Sequence, residues 1–167
     1  MIFGICGPAG SGKNTVSALL KEKVTEKNIP FLSYEFGWPV KRAASEMFNI
    51  PLRHFYNRKQ KEQINEFWGM SPRYMMQMLG TEGGRDLFRE DIWIQHMLYY
   101  YENSSCYENP NSVFIVSDVR FPNEAETISE MGGVNILVRR KNSEEAPSHK
   151  SEYFIENLPY DYVLNNN

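Results

Sequence analysis

Apolar residues fall along the chain in short blocks, and each block has a readable period. Ile2 to Cys6 is a short apolar run with β-branched and aromatic members, closed by Gly7-Pro8, and predicts a buried strand. From Lys13 to about Lys27, Val16, Leu19, Leu20 and Val24 recur at helical spacing with Lys and Glu on the other face; Asn28 and Pro30 supply the stop. Phe31 to Phe36 predicts a second strand. Pro39 opens a predicted helix through Phe48, with Val40, Ala43, Ala44, Met47 and Phe48 on one side. Pro51 to Gly69 is mixed and rich in charge, and predicts helical turns and loop on the surface. Ser71-Pro72 pairs an N-cap with a first-turn proline, so a helix is expected from there to about Leu79, broken near Gly80.

The second half repeats the alternation. A helix is expected from about Asp91 to Tyr101 and a loop over 103–112. Val113 to Val116 is a strongly apolar strand, Asn123 to Met131 a helix ended by Gly132-Gly133, and Asn135 to Val138 another strand. Tyr162 to Leu164 predicts a last short strand, and the polar tail Asn165-Asn166-Asn167 is expected to fray. Strands alternating with helices argue for an α/β fold, with a mostly parallel sheet covered by helices on both faces. Ligands in such sheets lie beyond the carboxyl ends of the strands, so residues just after strands are the candidates for chemistry.

Composition narrows this picture. The 167 residues fit one domain, 41% hydrophobic and 23% charged, an ordinary globular balance. Eighteen basic against 21 acidic residues give a net charge of −3, which disfavours nucleic acid as the main partner. Apolar runs stop at a handful of residues, far short of the roughly 18 that a membrane span needs. The first residues lack a basic n-region, so no signal peptide is expected. Cys6 and Cys106 form no CxxC pair, which disfavours zinc and a disulfide scaffold. A cytoplasmic protein is expected.

One segment carries specific chemistry. Gly7-Pro8-Ala9-Gly10-Ser11-Gly12-Lys13-Asn14-Thr15 follows a predicted strand and opens a predicted helix, the context that makes a phosphate-binding loop credible. Glycines let backbone N–H groups turn inward around phosphate oxygens, the helix start adds partial positive charge, and Lys13 supplies a full charge. Asn14 stands where a magnesium-ligating Ser or Thr usually follows the lysine. Direct hydroxyl ligation is therefore not expected, and Mg²⁺ is expected to be held by nucleotide phosphates and water. No Asn-Lys-X-Asp or Asp-X-X-Gly motif occurs, which removes the GTPases and leaves a small kinase as the best fit to the length.

Two further segments are candidates. Asp118-Val119-Arg120-Phe121-Pro122-Asn123-Glu124 follows the strand at 113–116: Arg120 can clamp a phosphate and Asp118 can hold a metal-bound water or a substrate hydroxyl, or the two simply pair in a turn. Arg73, Gln77, Gly80 and Thr81 recur at steps of about four and line one helix face, suited to a phosphate and a base edge or merely solvated. Met75, Met76, Met78 and Leu79 read as core. Trp93 either closes an acceptor pocket or belongs to the core with Ile92, Met97 and Leu98. Tyr99-Tyr100-Tyr101 is either a dimer patch or a half-buried helix face.

Taken in order, these motifs resemble the phage-type deoxynucleoside monophosphate kinases. The resemblance runs through Gly10–Thr15, Pro39-Val40-Lys41-Arg42-Ala43, Arg73 to Gln77, Gly80-Thr81-Glu82, Gly84-Arg85-Asp86, Asp91-Ile92-Trp93, Asp118–Glu124 and His149-Lys150-Ser151-Glu152. The chain departs from the family pattern with Phe36-Gly37-Trp38 before Pro39 and with Pro147 two residues before His149. The resemblance implies a three-layer αβα P-loop kinase fold in one domain, with a helical acceptor-binding insert at about 38–103 and a lid-like stretch at about 139–152. It implies transfer of the γ-phosphoryl group of ATP to a deoxynucleoside 5′-monophosphate, small-molecule substrates alone, and a homodimer.

Gly10, Ser11, Gly12, Lys13, Asn14, Thr15 and Arg139 would handle ATP. Lys41, Arg73, Gln77, Gly80, Thr81, Arg85, Trp93, Asp118, Arg120 and Glu124 would form the acceptor site, and Lys13, Arg73, Asp118 and Arg120 would act in the transfer. Two other readings stay open. One is a small kinase with a hydroxyl acceptor, such as a nucleoside or dephospho-coenzyme A kinase, with Asp118 as base; the other is a nucleotide-binding module without turnover.

Overall fold

The structure is a computed structural model that describes residues 1–140 and 155–166. The chain divides into two compact units, one made of Met1–Phe36 with Ile94–Asn167 and the other of Gly37–Trp93.

The first unit is built on five parallel strands: β1 (Ile2–Cys6), β2 (Phe31–Glu35), β3 (Val113–Val119), β4 (Val134–Arg139) and β5 (Tyr162–Asn165), in the order β2-β3-β1-β4-β5. The helix α1 (Lys13–Glu26) connects β1 to β2, and α6 (Pro122–Glu130) connects β3 to β4. The near-continuous apolar runs of β1 and β3 are what a central parallel strand needs, since both of its faces are covered. Ile5, Ile115 and Val138 are fully buried, and Val16 and Val24 of α1 close over them. Asn28, at the left-handed position just past α1, ends that helix as expected.

Register sets the carboxyl edge. Cys6 of β1 lies beside Val119 of β3 and Leu137 of β4, and Arg139 lies beside Asn165 of β5. The segments after β1, β3, β4 and β5 therefore emerge along one edge, where ligands of open parallel sheets sit.

Several expectations need correction here. The strand at 113–116 continues to Val119, because Ser117 and Asp118 interrupt the apolar run without ending the ladder. Residues 165–166 do not fray: Asn165 pairs in β5, and the Asn166 N–H donates to Arg139 O at 2.7 Å. The tyrosines on α5 (Ile92–Glu102) mostly face inward. Tyr101 stacks on Phe114 with centroids 4.6 Å apart, Tyr100 packs near Tyr34, and Tyr99 alone is 71% exposed.

The second unit holds α2 (Gly37–Phe48), the short α3 (Arg53–Tyr56) and α4 (Pro72–Gln77). The helix α2 starts two residues before Pro39. Residues 51–69 are not all surface, since Phe55 is 1% exposed and packs with Ala44, Ile50 and Met75. Ser71 caps α4 as expected, its hydroxyl accepting from Tyr74 N at 3.3 Å. The expected break near Gly80 is absent. The chain continues over Met78–Phe88 in widened π-helical turns. Trp93 explains the widening: a Cβ on Gly84 would sit 2.8 Å from its Cζ2, so the ring occupies space that only glycine leaves. Among the described residues, no helix is long and apolar enough to cross a membrane.

Candidate active site

The phosphate loop links β1 to α1. Gly7, Gly10 and Gly12 all have positive φ, at 145°, 77° and 102°. At Gly7 a side chain would also strike Val138 O, so β4 closes one wall of the loop. The helix α1 begins without a side-chain cap and without an acidic residue in its first turn. The positive end of its dipole therefore meets no carboxylate from its own first turn. Lys13 Nζ donates to Gly7 O at 2.6 Å and Pro8 O at 2.7 Å, so the ammonium folds back over the loop it belongs to. Ser11 is fully buried, and its Oγ has no hydrogen-bond partner among the described residues. Asn14 and Thr15 are exposed. Cys6, at the loop's entrance, is buried; burial pushes its thiol up to about 11, so it stays protonated and inert.

The segment after β3 starts with a distortion. Between Ile5 and Cys6 the register against β3 slips by one residue, from Ser117 to Val119, leaving Asp118 as the extra residue of a β-bulge. Asp118 has φ 63°, a left-handed conformation that aspartate tolerates better than most side chains. Its Oδ1 accepts from Phe36 N at 2.8 Å, tying the end of β3 to the residue after β2. Glu124 is 2% exposed, and its Oε2 accepts from Arg120 N at 2.8 Å and Phe121 N at 3.2 Å. Glu124 thereby holds the turn that carries Arg120. Arg120 and Arg139 are half-buried near the same sheet edge. The carboxylates of Asp118 and Glu124, after burial itself, help push the buried Tyr34 phenol up, so it stays neutral. Its hydroxyl shares a 2.9 Å hydrogen bond with His96 Nδ1.

Most candidates of the second unit have partners within it. Lys41 Nζ lies 4.3 Å from the centroid of Tyr56. Arg73 Nε donates to Glu62 Oε1 at 2.6 Å in a partly exposed ion pair. Gln77 is half-buried at the end of α4. Gly80 O accepts from Trp93 Nε1 at 2.7 Å. Thr81 is 5% and Arg85 6% exposed, and Arg85 Nη1 donates to Glu90 O at 2.7 Å. The expected polar stripe runs from α4 into the widened turns after Gln77. Trp93 packs against the widened turns at Gly84.

The structure brings the phosphate loop, the 118–124 segment and Arg139 to one sheet edge. Lys41, Arg73, Gln77, Gly80, Thr81, Arg85 and Trp93 belong to the other unit. His149 and residues 141–152 of the expected lid lie outside the described residues. Sequence reading missed the partners Phe36, Tyr34 with His96, and Asn166. Asn166 Nδ2 donates to Ser11 O at 3.0 Å, across 155 residues of sequence that no local pattern spans.

A parallel sheet in this order, with a glycine-rich strand-to-helix loop at its carboxyl edge and a lysine folded over it, defines a P-loop nucleotide-binding protein. The family model for deoxynucleotide monophosphate kinase matches residues 51–167, and the chain belongs to that family. A protein of Acanthamoeba polyphaga mimivirus, provisionally named deoxynucleotide monophosphate kinase, is 32% identical over 177 aligned positions, covering 100% of this chain and 89% of the relative. The deoxynucleoside-5′-monophosphate kinase of Escherichia phage T5 is 31% identical over 137 positions, covering 80% of this chain and 51% of the relative. Among solved structures, TT1252 from Thermus thermophilus gives a TM-score of 0.46 at 17% identity, covering 100% of this chain and 88% of that one.

Proposed function

We propose that the protein transfers the γ-phosphoryl group of ATP to a deoxynucleoside 5′-monophosphate, giving ADP and a deoxynucleoside diphosphate. Family membership sets the reaction class, and the geometry of the phosphate loop is the observation that carries it. An acceptor phosphate oxygen attacks the γ-phosphorus while the bond to the β–γ bridging oxygen breaks, and ADP leaves. The acceptor's second pKa is about 6, so this oxygen is already anionic near pH 7 and no general base is required. Catalysis is then positioning and charge neutralisation.

Gly10, Ser11, Gly12, Asn14 and Thr15 present the loop and helix start to the nucleotide phosphates. Lys13 exchanges its two loop carbonyls for phosphate oxygens, and Arg139 adds charge at the same edge. Arg73 is available in a similar way. An exposed ion pair such as Arg73–Glu62 is worth only ~0–1 kcal/mol, so a dianionic phosphate readily takes the guanidinium from the carboxylate. Lys41, Gln77, Gly80, Thr81, Arg85 and Trp93 complete the acceptor side. Glu124 holds the turn that carries Arg120, which stabilises the transferring group, and Asp118 lines the acceptor side near them.

The residues fit a Mg²⁺ held by phosphates and water. Asn14 stands, exposed in the first turn of α1, where the usual hydroxyl residue would be. When bound, the metal supplies neutralisation of the β- and γ-phosphate charge. The enzyme acts in the cytoplasm, that of the host if a phage encodes it, on small molecules and with no nucleic-acid or membrane partner.

The test is ADP production from Mg-ATP with each of dAMP, dCMP, dGMP and dTMP, beside ribonucleotides and nucleosides. Turnover with deoxynucleoside monophosphates well above ribonucleotides is expected. Transfer to nucleosides alone, or to no monophosphate at all, would refute the reading.

A further inference from the structure

We infer that Asn166 is a positioning residue for the phosphate loop, holding the Ser11–Gly12 peptide in the orientation that binds the donor nucleotide. This rests on the reading of that loop as the ATP site. Three contacts converge on Asn166. Its Nδ2 donates to Ser11 O at 3.0 Å. Its own N–H donates to Arg139 O at 2.7 Å, one step beyond the β4–β5 ladder. Its amide also lies over Gly12: a Cβ there would collide with Asn166 Nδ2 and sit 3.3 Å from Cγ.

The consequence follows from peptide geometry. The Ser11–Gly12 peptide is trans, as are all peptide bonds among the described residues, and a trans peptide is planar, with its N–H directed opposite to its C=O. Fixing Ser11 O toward Asn166 therefore fixes the Gly12 N–H in the opposite direction. Gly12 has φ 102°, in the region where glycine meets little steric resistance, so its own sterics do little to fix the Ser11–Gly12 peptide. The strand β5 and Asn166 add a restraint on Ser11 O to the loop's own bonds from Ser11 N to Pro8 O and from Val16 N to Gly12 O. They also link the loop to Arg139, so two groups directed at the nucleotide phosphates are held through one side chain and its backbone.

The experiment compares Asn166→Ala, Asn166→Asp and the neighbouring control Asn165→Ala in the full chain. It measures equilibrium ADP binding, KM for ATP, KM for the deoxynucleoside monophosphate, and Tm. Removing the donor in Asn166→Ala should weaken ADP binding and raise KM for ATP by about three- to tenfold, the range for one net hydrogen bond. Asn166→Asp should weaken both further, because it adds a carboxylate where phosphate binds. The acceptor KM should stay near wild type in all three, and Asn165→Ala should bind ADP normally.

Unchanged ADP binding in both Asn166 variants, or an equal loss in Asn165→Ala, would overturn the inference. A parallel rise in both KM values with a collapsed Tm would do the same. If the wild type bound ADP but transferred nothing to any monophosphate, the proposed reaction would fail while the binding comparison still decided the role of Asn166.

Discussion

Alanine at Gly84 should force Trp93 out of its place. The added Cβ would lie 2.8 Å from Trp93 Cζ2 and 3.0 Å from both Cε2 and Leu79 O. Two of these neighbours belong to a rigid ring and one to backbone, so none yields by a simple rotamer change. Overpacking of this kind costs about 1–3 kcal/mol. Moving the ring also strains or breaks the 2.7 Å bond from Trp93 Nε1 to Gly80 O, about another 1 kcal/mol. Alanine offsets part of this, because it is about 1 kcal/mol better than glycine inside a helix. The net is a destabilisation of about 1–3 kcal/mol, or roughly 2–12 °C in Tm for a chain of this size.

Two neighbouring glycines provide the control. A Cβ on Gly80 would meet Val40 at 3.4 and 3.5 Å, ordinary contact, and one on Gly83 would meet Met78 O at 3.3 Å. Gly80→Ala should therefore keep most of the helical gain, Gly83→Ala less of it, and Gly84→Ala should be clearly destabilised. Differential scanning calorimetry gives the order directly, and Trp93 fluorescence should shift in Gly84→Ala alone. If Gly84→Ala melted at or above wild type with unchanged fluorescence, Trp93 would not be what holds the widened turns.

Three further outcomes are expected. Lys13→Ala should retain its circular dichroism spectrum and lose about 10²-fold or more in kcat/KM, the scale for removing one preorganised charge or donor; a loss under threefold would take Lys13 out of the mechanism. At Asp118, Tm should fall in the order wild type, Asn, Gly, Ala. Asparagine keeps the Phe36 N acceptor and tolerates φ 63°, glycine keeps the conformation alone, and alanine keeps neither; an alanine variant as stable as asparagine would refute this. Burial lowers the pKa of His96 below its ordinary 6.5, so the folded state binds fewer protons than the unfolded one between the two values. Stability should be full above about pH 6.5 and fall as the pH drops through the folded value; a His96→Gln variant with the same pH slope would show that the slope comes from elsewhere.

The glycine-rich loop could be read because all of its requirements lie within nine consecutive residues, Gly7 to Thr15, and because glycine and lysine there have few other uses. The central strands and α1 were equally legible. Burial on both faces forces continuous apolar runs, and burial on one face forces a 3.6-residue period. These patterns persist in any sequence that folds this way. The resemblance to monophosphate kinases rested on the order of several weak motifs, and the family match over residues 51–167 agrees with it.

What lay outside the reach of sequence depends on residues that meet only after folding. The Gly80 break failed because Trp93, thirteen positions on, fills the space that Gly84 vacates and holds the turns open. The bulge at Asp118 depends on how β3 pairs with β1, and the capture of Phe36 N depends on where β2 ends; neither appears in the run Ser117-Asp118-Val119 itself. The polar residues 165–166 looked like a loose tail because asparagines are usually solvated. They became part of the phosphate loop's support only once β5 was laid beside β4. Sequence by itself determined most of the strands and helices and the strand–glycine loop–helix segment, since hydrophobic period and loop chemistry act over a few residues. Tertiary structure decided which distant side chains hold that site in shape, because contact across 155 residues is set by sheet order and register and by nothing local.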